Sequence, residues 1–306
     1  MDTTPAGPGA GEAELSVVMP VGAVDDLLDL QLARLAAQEV TIPWELVLSL
    51  NTADPAARRA LDAAVGRVPA LRCRIVDSSA VRSASHARNV GAASGRADLL
   101  AFCDADDEVA DGWLAAMIVA LQDHRAVGGH LEEQRLSVPG QAHWRPEATP
   151  GDLPSYLGHR YPVSANVGAH RSVFDAVGGF REDLTRCEDI AFGWDLARQG
   201  VELHYEPAAV VSYRHREGFL AMLRQHYLYG IGMAEVLARC PEPGSVDGGR
   251  SVGGLLRSNN QPVAHRGFAH YARRASIAAG RLVGMVAERR SGRRPTVEPA
   301  ASATAP

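Results

Sequence analysis

The stretch Leu99-Leu100-Ala101-Phe102-Cys103-Asp104-Ala105-Asp106-Asp107-Glu108 decides how this chain is read. An apolar run reads as a short buried strand, and it passes without a break into four acids. Like charges side by side repel, and desolvating them costs more still. A metal ion, a helix terminus, arginines or water must compensate them. Which of these does so largely decides what the protein does.

On either side of this stretch, strands and helices alternate. "LSVVMP" (15–20), "WELVLSL" (44–50) and "LRCRIVD" (71–77) read as strands, each a nearly continuous apolar or β-branched run. Between them lie helical patterns. Residues 25–38 carry Leu27, Leu28, Leu32 and Leu35 at helical spacing, and Asp54-Pro55 opens the next helix as N-cap and first-turn proline. The small-residue run 83–94 is a third helix ending at Gly95, and 111–124 is a fourth, after the acids. This βαβ spacing predicts a parallel sheet covered on both faces, with ligands bound at the carboxyl ends of its strands. The acids stand at one such end.

From about residue 127 to 162 the sequence is rich in Gly, Pro and His and reads as strand fragments and loop. Order returns with a strand in "SANVGAH" and a short helix 171–177 closed by Gly178-Gly179. "CEDIAFGWDLARQG" reads as a helix opening at Glu188 or Asp189, "VELHYEPAAVVSYRHR" as two short strands, and "FLAMLRQHYLYGIGMAEVLARC" as a long helix. The expected organisation is a leader at 1–13, a catalytic domain at 14–240 with halves 14–126 and 127–240, and a linker at 241–262. A basic amphipathic helix at 263–292 and a tail at 293–306 complete it. The leader and the tail read as disordered by composition.

Composition narrows the chemistry. The chain has 306 residues, 46% of them hydrophobic, enough for one large domain with an appendage. A net charge of -5 argues against a general nucleic-acid binder. All 31 basic residues are arginine. Lysine chemistry is thereby excluded: no Walker lysine, no Schiff base, no kinase-type lysine. The four scattered cysteines read as thiols of a reducing cytosol. No run of about 18 apolar residues marks a spanning helix, so the expected location is cytoplasmic, with peripheral contact to the inner membrane face left open.

The acids admit four readings. They can form a solvated first turn of the helix at 111–124. An EF-hand loop fails because its sixth position is Val109, not glycine. A dehalogenase-like phosphatase would use Asp104 as nucleophile, but Glu108 stands where that motif carries Thr or Val, and the motif normally opens the fold. A D-x-D that holds Mg²⁺ or Mn²⁺ on a nucleotide diphosphate fits hard carboxylate ligands.

Several ordered motifs over about residues 15–240 carry a resemblance. They are "SVVMP", "ASHARNVGAASGRADLLAFCDADDE", "NVGAHRSVFDAVGGFRED", "CEDIAFGWDLARQG" and "VVSYRH". Together the chain resembles a family 2 glycosyltransferase: inverting, nucleotide-sugar dependent, and of GT-A fold. That fold is a Rossmann-like, mixed but mostly parallel sheet flanked by helices, here with a C-terminal helical extension. The resemblance implies that Asp189 is the base on the acceptor and that Glu188 orients acceptor or loop. It implies that Pro20, Val21, Asn51, Arg88, Asp104, Gly178 and Gly179 bind the nucleotide sugar, and that Asp106 and His215 bind the metal. Asp107 is expected to pair with an arginine, Arg88 being the candidate, and Glu108 to face water. Trp194 is expected in the core, with sugar stacking as the alternative. The acceptor is unassigned: a natural product, a glycolipid or an envelope precursor.

The departures lie on the nucleotide side. The family's second strand ends in V-D-(D/N)-x-S, whose Asp reads a uracil base; here the stretch is Leu48-Ser49-Leu50-Asn51-Thr52. That leaves GDP and dTDP donors open beside UDP, and a degenerate, non-catalytic nucleotide- or glycan-binding protein as the alternative. Val21-Gly22-Ala23 replaces the favoured Thr-Tyr-Asn, and Arg181 follows the G-G-F. The arginine-rich C-terminal helix could lie on an anionic membrane, pack on the catalytic domain, or pair with a second copy.

Overall fold

The computed structural model describes residues 13–141, 144–145, 147–243 and 267–291. The expected leader, linker and tail fall almost entirely outside the described residues.

Eight strands form one sheet in the order β3-β2-β1-β4-β9-β6-β10-β5. The first half alternates as the sequence predicts: β1 (Leu15–Val21), α1 (Asp26–Ala36), β2 (Trp44–Leu50), α2 (Pro55–Gly66), β3 (Cys73–Asp77), α3 (Ala84–Ser94) and β4 (Leu99–Cys103). Side chains capping α1, α2 and α3 come from Asp25, Asp54 and Ser83. β1 runs parallel to β2 and β4, and β2 parallel to β3. Alternate residues of these strands build two cores. Val17, Met19, Ala101 and Cys103 pack with Leu28, Leu32, Leu35 and Trp113 on one face. Val18, Leu100 and Phe102 pack with Phe174, Phe180 and Phe192 on the other. Burial on both faces is why these strands read as unbroken apolar runs.

The acids do not form the first turn of a helix. Glu108 and Val109 form β5, and α4 (Trp113–Asp123) begins only after Gly112, which sits at φ +78°. The Gly/Pro-rich stretch is more ordered than its composition suggests. It holds β6 (Ala126–Glu132) and the small hairpin β7 (Ser155–Tyr156) and β8 (His159–Arg160). β9 (Asn166–His170) runs antiparallel to both β4 and β6, which makes the sheet mixed. After α5 (Arg171–Ala176) and α6 (Glu188–Arg198), the two short strands expected at 201–216 are one long strand, β10 (Leu203–Ser212). A register shift between Glu206 and Val210, at Pro207, interrupts its pairing to β6 without ending it. β5 closes the sheet edge against the end of β10.

α7 (Phe219–Arg239) and α8 (Phe268–Ser291) pack side by side and run parallel, with Phe219 against Phe268 at one end and Arg239 against Glu288 at the other. A Cβ added at Gly230 would strike the backbone of Ile277 and Arg281, and one at Gly280 the backbone of Tyr227. The two helices therefore touch main chain to main chain. α7 packs in turn on α6 through Cys187, Ile190, Trp194 and Val236.

Candidate functional site

β4 delivers the acid loop at its carboxyl end, beside the end of β1, where the parallel half of the sheet meets the antiparallel insertion. Each carboxylate then takes a different environment. Arg88, on α3 and nearly inaccessible to solvent, reaches both sides of the site. One guanidinium nitrogen lies 2.5 Å from Asp104 Oδ1 and another 3.0 Å from Glu188 Oε1. Arg88 thus pairs with Asp104 and Glu188, not with Asp107 as expected. The side chain of Arg88 is interior, between two acids, and its role here is to join them.

Asp107 is buried and accepts a hydrogen bond from the backbone N–H of Arg214 at 2.7 Å, while its Oδ2 has no partner. Burial, then the charges of Asp104 and Asp106, push its carboxyl well above the usual carboxylate range. Asp106 remains accessible, yet protein closely surrounds it. That loss of water, with the charge of Asp104, raises its carboxyl too. Glu108 does not face water. It is buried and meets Arg135 at 2.9 Å, Arg34 at 3.2 Å and Arg214 at 3.5 Å. Burial opposes its ionisation, but Arg135 and Arg34 outweigh it and hold the carboxyl below its ordinary value.

The loop backbone is pinned by Gln31, a fully buried residue of α1. Its amide donates to the carbonyl of Asp104 at 3.0 Å and accepts from the N–H of Val109 at 2.9 Å. Gln31, Glu133 and Arg135 stand outside every quoted motif, and Cys187 stands in one without a role assigned to it. Only Gln31 leaves a local signal, a polar residue on the apolar face of "LLDLQLARL".

Glu188 and Asp189 open α6. The residue before them, Cys187, adopts φ +61°, the left-handed region that a non-glycine residue enters at a cost. Several contacts hold it there. Its thiol lies 3.6 Å from the carbonyl of Tyr229 on α7, and Thr185 donates twice to Glu235 at 2.8 Å. Asp189 accepts from the N–H of Ile190 at 2.8 Å. Burial, then the charge of Glu188, raise its carboxyl to about 7. Burial and the charge of Asp189 hold the Tyr161 hydroxyl well above its usual range.

His215 follows the end of β10. Its Nε2 lies 3.0 Å from Glu133, and its buried Nδ1 has no partner. The other oxygen of Glu133 accepts from the backbone of Ala148 at 2.5 Å, which fixes the carboxylate and through it the ring. Neighbouring Arg214 bonds the main chain of Asp106 at 3.0 Å, so this segment lies against the acid loop. Among the described residues, no three His, Cys, Asp or Glu side chains form a metal cage. A Mg²⁺ or Mn²⁺ ion that completes its shell with phosphate oxygens and water needs only one or two protein ligands. The accessible Asp106 carboxylate and the unpartnered nitrogen of His215 suit that chemistry.

Asn51 is buried at the end of β2, and its N–H to the Val21 carbonyl (2.8 Å) extends the ladder that pairs Pro20 with Ser49. Its side-chain NH₂ donates to the carbonyls of Ser78 (2.5 Å) and Val81 (2.8 Å). Two carbonyl acceptors fix which end of the amide is nitrogen. Any base it contacts therefore meets the acceptor Oδ1. Gly178 and Gly179 have φ of +79° and +69°. At Gly179 the reason is Asn89: an added Cβ would come within 2.7 Å of its Oδ1, and Asn89 bonds both the N–H and the carbonyl of Phe180. Trp194 is wholly buried and stacks on Tyr156 at 5.8 Å, a core residue.

This mixed sheet, with an acid loop at the end of its fourth strand, is the GT-A glycosyltransferase fold. Over 92% of its length the chain superposes on 80% of the mannosyltransferase PcManGT from Pyrobaculum calidifontis in complex with GDP-Man and Mn²⁺ (TM-score 0.59, 18% identity). Over the same share it superposes on 92% of TarS residues 1–349 from S. aureus in complex with UDP-GlcNAc (TM-score 0.54, 16% identity). Residues 16–178 match glycosyl transferase family 2, and the chain belongs to that family. It is 30% identical over 185 residues to the pre-mycofactocin glycosyltransferase of Mycobacterium tuberculosis, covering 56% of this chain. The chain spans 39% of the length of that relative. Family membership sets aside the dehalogenase-like reading of Asp104.

Proposed function

We propose that this protein is a metal-dependent, inverting glycosyltransferase that moves a sugar from a nucleotide diphospho-sugar to an acceptor hydroxyl or amine. The observation that carries the reading is Arg88. One buried guanidinium ties Asp104 of the acid loop to Glu188, whose neighbour Asp189 has a carboxyl near pKa 7. A donor held at the loop would lie beside a group poised to take a proton at neutral pH.

Asp189 removes the proton from the acceptor as its oxygen or nitrogen forms the new bond to the anomeric carbon. On the opposite face the bond from that carbon to the diphosphate breaks, and the diphosphate leaves. A divalent ion, Mg²⁺ or Mn²⁺, held by Asp106 with His215 would neutralise the charge of that leaving group. Asp104 faces the ribose side of the nucleotide, and Pro20, Val21, Gly178 and Gly179 are the further donor contacts of this reading. Asn51 would meet the base with Oδ1, an acceptor that suits the ring N–H of uracil, thymine or guanine. The site is expected to be cytoplasmic.

A thermal-shift panel of UDP-, GDP- and dTDP-sugars with Mn²⁺, followed by donor-hydrolysis assays, tests this. At least one donor should raise the melting temperature in a metal-dependent way and be turned over. A donor that binds without turnover would mark a degenerate binding protein. No binding of any donor with Mn²⁺ present would sink the reading.

A further inference from the structure

α8 carries its large apolar side chains outward. Arg273, Gly280 and Gly284 are buried against α7, whereas Phe268 is 80% exposed, Leu282 64% and Val283 47%. A surface helix of a water-soluble domain does the reverse, hiding its Leu and Val and exposing its Arg. Phe268, Tyr271, Ala275, Ala279, Leu282 and Val286 follow each other at three- and four-residue steps, all exposed, and so form one stripe along the helix. The stripe cannot be turned inward. Gly280 and Gly230 allow the backbones of α7 and α8 to touch, and larger side chains at that contact would strike main chain. The helix is also fixed lengthwise: Glu288 pairs with Arg239, and the Arg281 guanidinium sits over the Tyr156 ring at 5.4 Å.

Charge selects what covers the stripe. α8 holds five arginines against a single glutamate, in a chain whose net charge is -5. Arg274, Arg289 and Arg290 are exposed beside the apolar residues, and a hollow lined by Leu282, Val283, Val286, Ala287 and Arg290 interleaves the two chemistries. A second copy packed stripe to stripe about a twofold axis would bring these arginines against their own equivalents, with no acid on the helix free to meet them but the one already paired to Arg239. Anionic lipid supplies both partners at once, acyl chains for the stripe and phosphates for the arginines.

We infer that α8 is a docking helix that lies flat on an anionic membrane surface, with Leu282, Val283 and Val286 immersed and Arg274, Arg289 and Arg290 on lipid phosphates. The surface is separate from the proposed transfer site, and binding needs no donor. α7 joins the two, because it carries α8 on one side and holds the turn before Glu188 on the other.

The full chain is sedimented with vesicles of phosphatidylcholine alone and of phosphatidylcholine with an equal amount of phosphatidylglycerol. Binding is expected only to the anionic vesicles, and raised salt should weaken it. The pair Leu282→Ser and Val286→Ser should reduce partitioning by about tenfold or more. Arg289→Gln with Arg290→Gln should reduce it by about fivefold per arginine. All four side chains are exposed, so circular dichroism and melting temperature should stay as in the parent chain. Failure to sediment with anionic vesicles overturns the inference, and so does binding that neither double variant weakens. Sedimentation equilibrium closes the remaining route. A dimer that Leu282→Ser with Val286→Ser dissociates, without vesicle binding, makes the stripe a subunit interface and overturns the membrane assignment.

Discussion

Glu108 and Asp189 are both carboxylates withdrawn from water within a few residues of another acid, yet they end in opposite states. Three arginines from three separate elements surround Glu108, and its carboxyl is held low. Asp189 has a backbone N–H and the more distant Arg88, which is already shared between Asp104 and Glu188, and its carboxyl rises to about 7. The difference teaches that the acid loop and the α6 turn are not two acidic patches of one kind. Glu108, at the far end of the loop, is neutralised, while Asp189, in the turn, is left short of counter-charge and is the residue proposed to take the acceptor proton.

The sharpest way to break the comparison is Asp189→Asn. Loss of a general base should lower kcat by about 10²- to 10⁴-fold with donor binding retained, measured as transfer alongside donor titration. In the parent chain, kcat/KM should fall as pH drops through about 7, since the base must be ionised. The linked stability effect has the opposite sense. A carboxyl whose folded pKa is raised binds more protons folded than unfolded, so between the unfolded value near 4 and about 7 stability declines as pH rises. Asp189→Asn should remove that decline, and chemical denaturation at pH 5 and pH 8 checks it.

Arg88→Ala comes next. It leaves the part-buried Asp104 and Glu188 without their shared counter-charge and should cost about 3 kcal/mol, visible as a lower urea midpoint. Gln31→Ala removes one donor and one acceptor from the acid loop. Leaving the Asp104 carbonyl and the Val109 N–H unpaired should cost about 1–3 kcal/mol and weaken donor binding, read by calorimetry. The smallest effect belongs to Glu108→Gln. Its arginine partners are partly exposed and already screened by solvent, so below about 1 kcal/mol should be lost, with donor affinity unchanged. A large loss of donor binding in Glu108→Gln would erase the distinction between the two regions.

How far the site was legible follows from the range of the interactions involved. Asp104 and Asp106 stand out because a continuous apolar strand must end where its charges begin, and that is a local fact of sequence. The pairing of Arg88 was misread, since it depends on α6, a hundred residues further along the chain, folding back beside α3. Glu108 was misread for the same reason: Arg34 and Arg135 reach it from α1 and from the loop after β6. The single strand β10 escaped because Pro207 looks like a stop, whereas the register shift lets the strand pass it.

The sequence by itself determined the alternation of strands and helices, the acid-bearing strand end, the E-D helix start and the family these motifs resemble. Each rests on hydrophobic periodicity or on a contiguous motif, and both are written in neighbouring residues. Only the tertiary structure decided which acids would be neutralised, which would be left near pKa 7, and which face of the last helix would turn outward. Those outcomes depend on the desolvation and counter-charge that distant segments supply, and the order of residues along the chain does not carry that information.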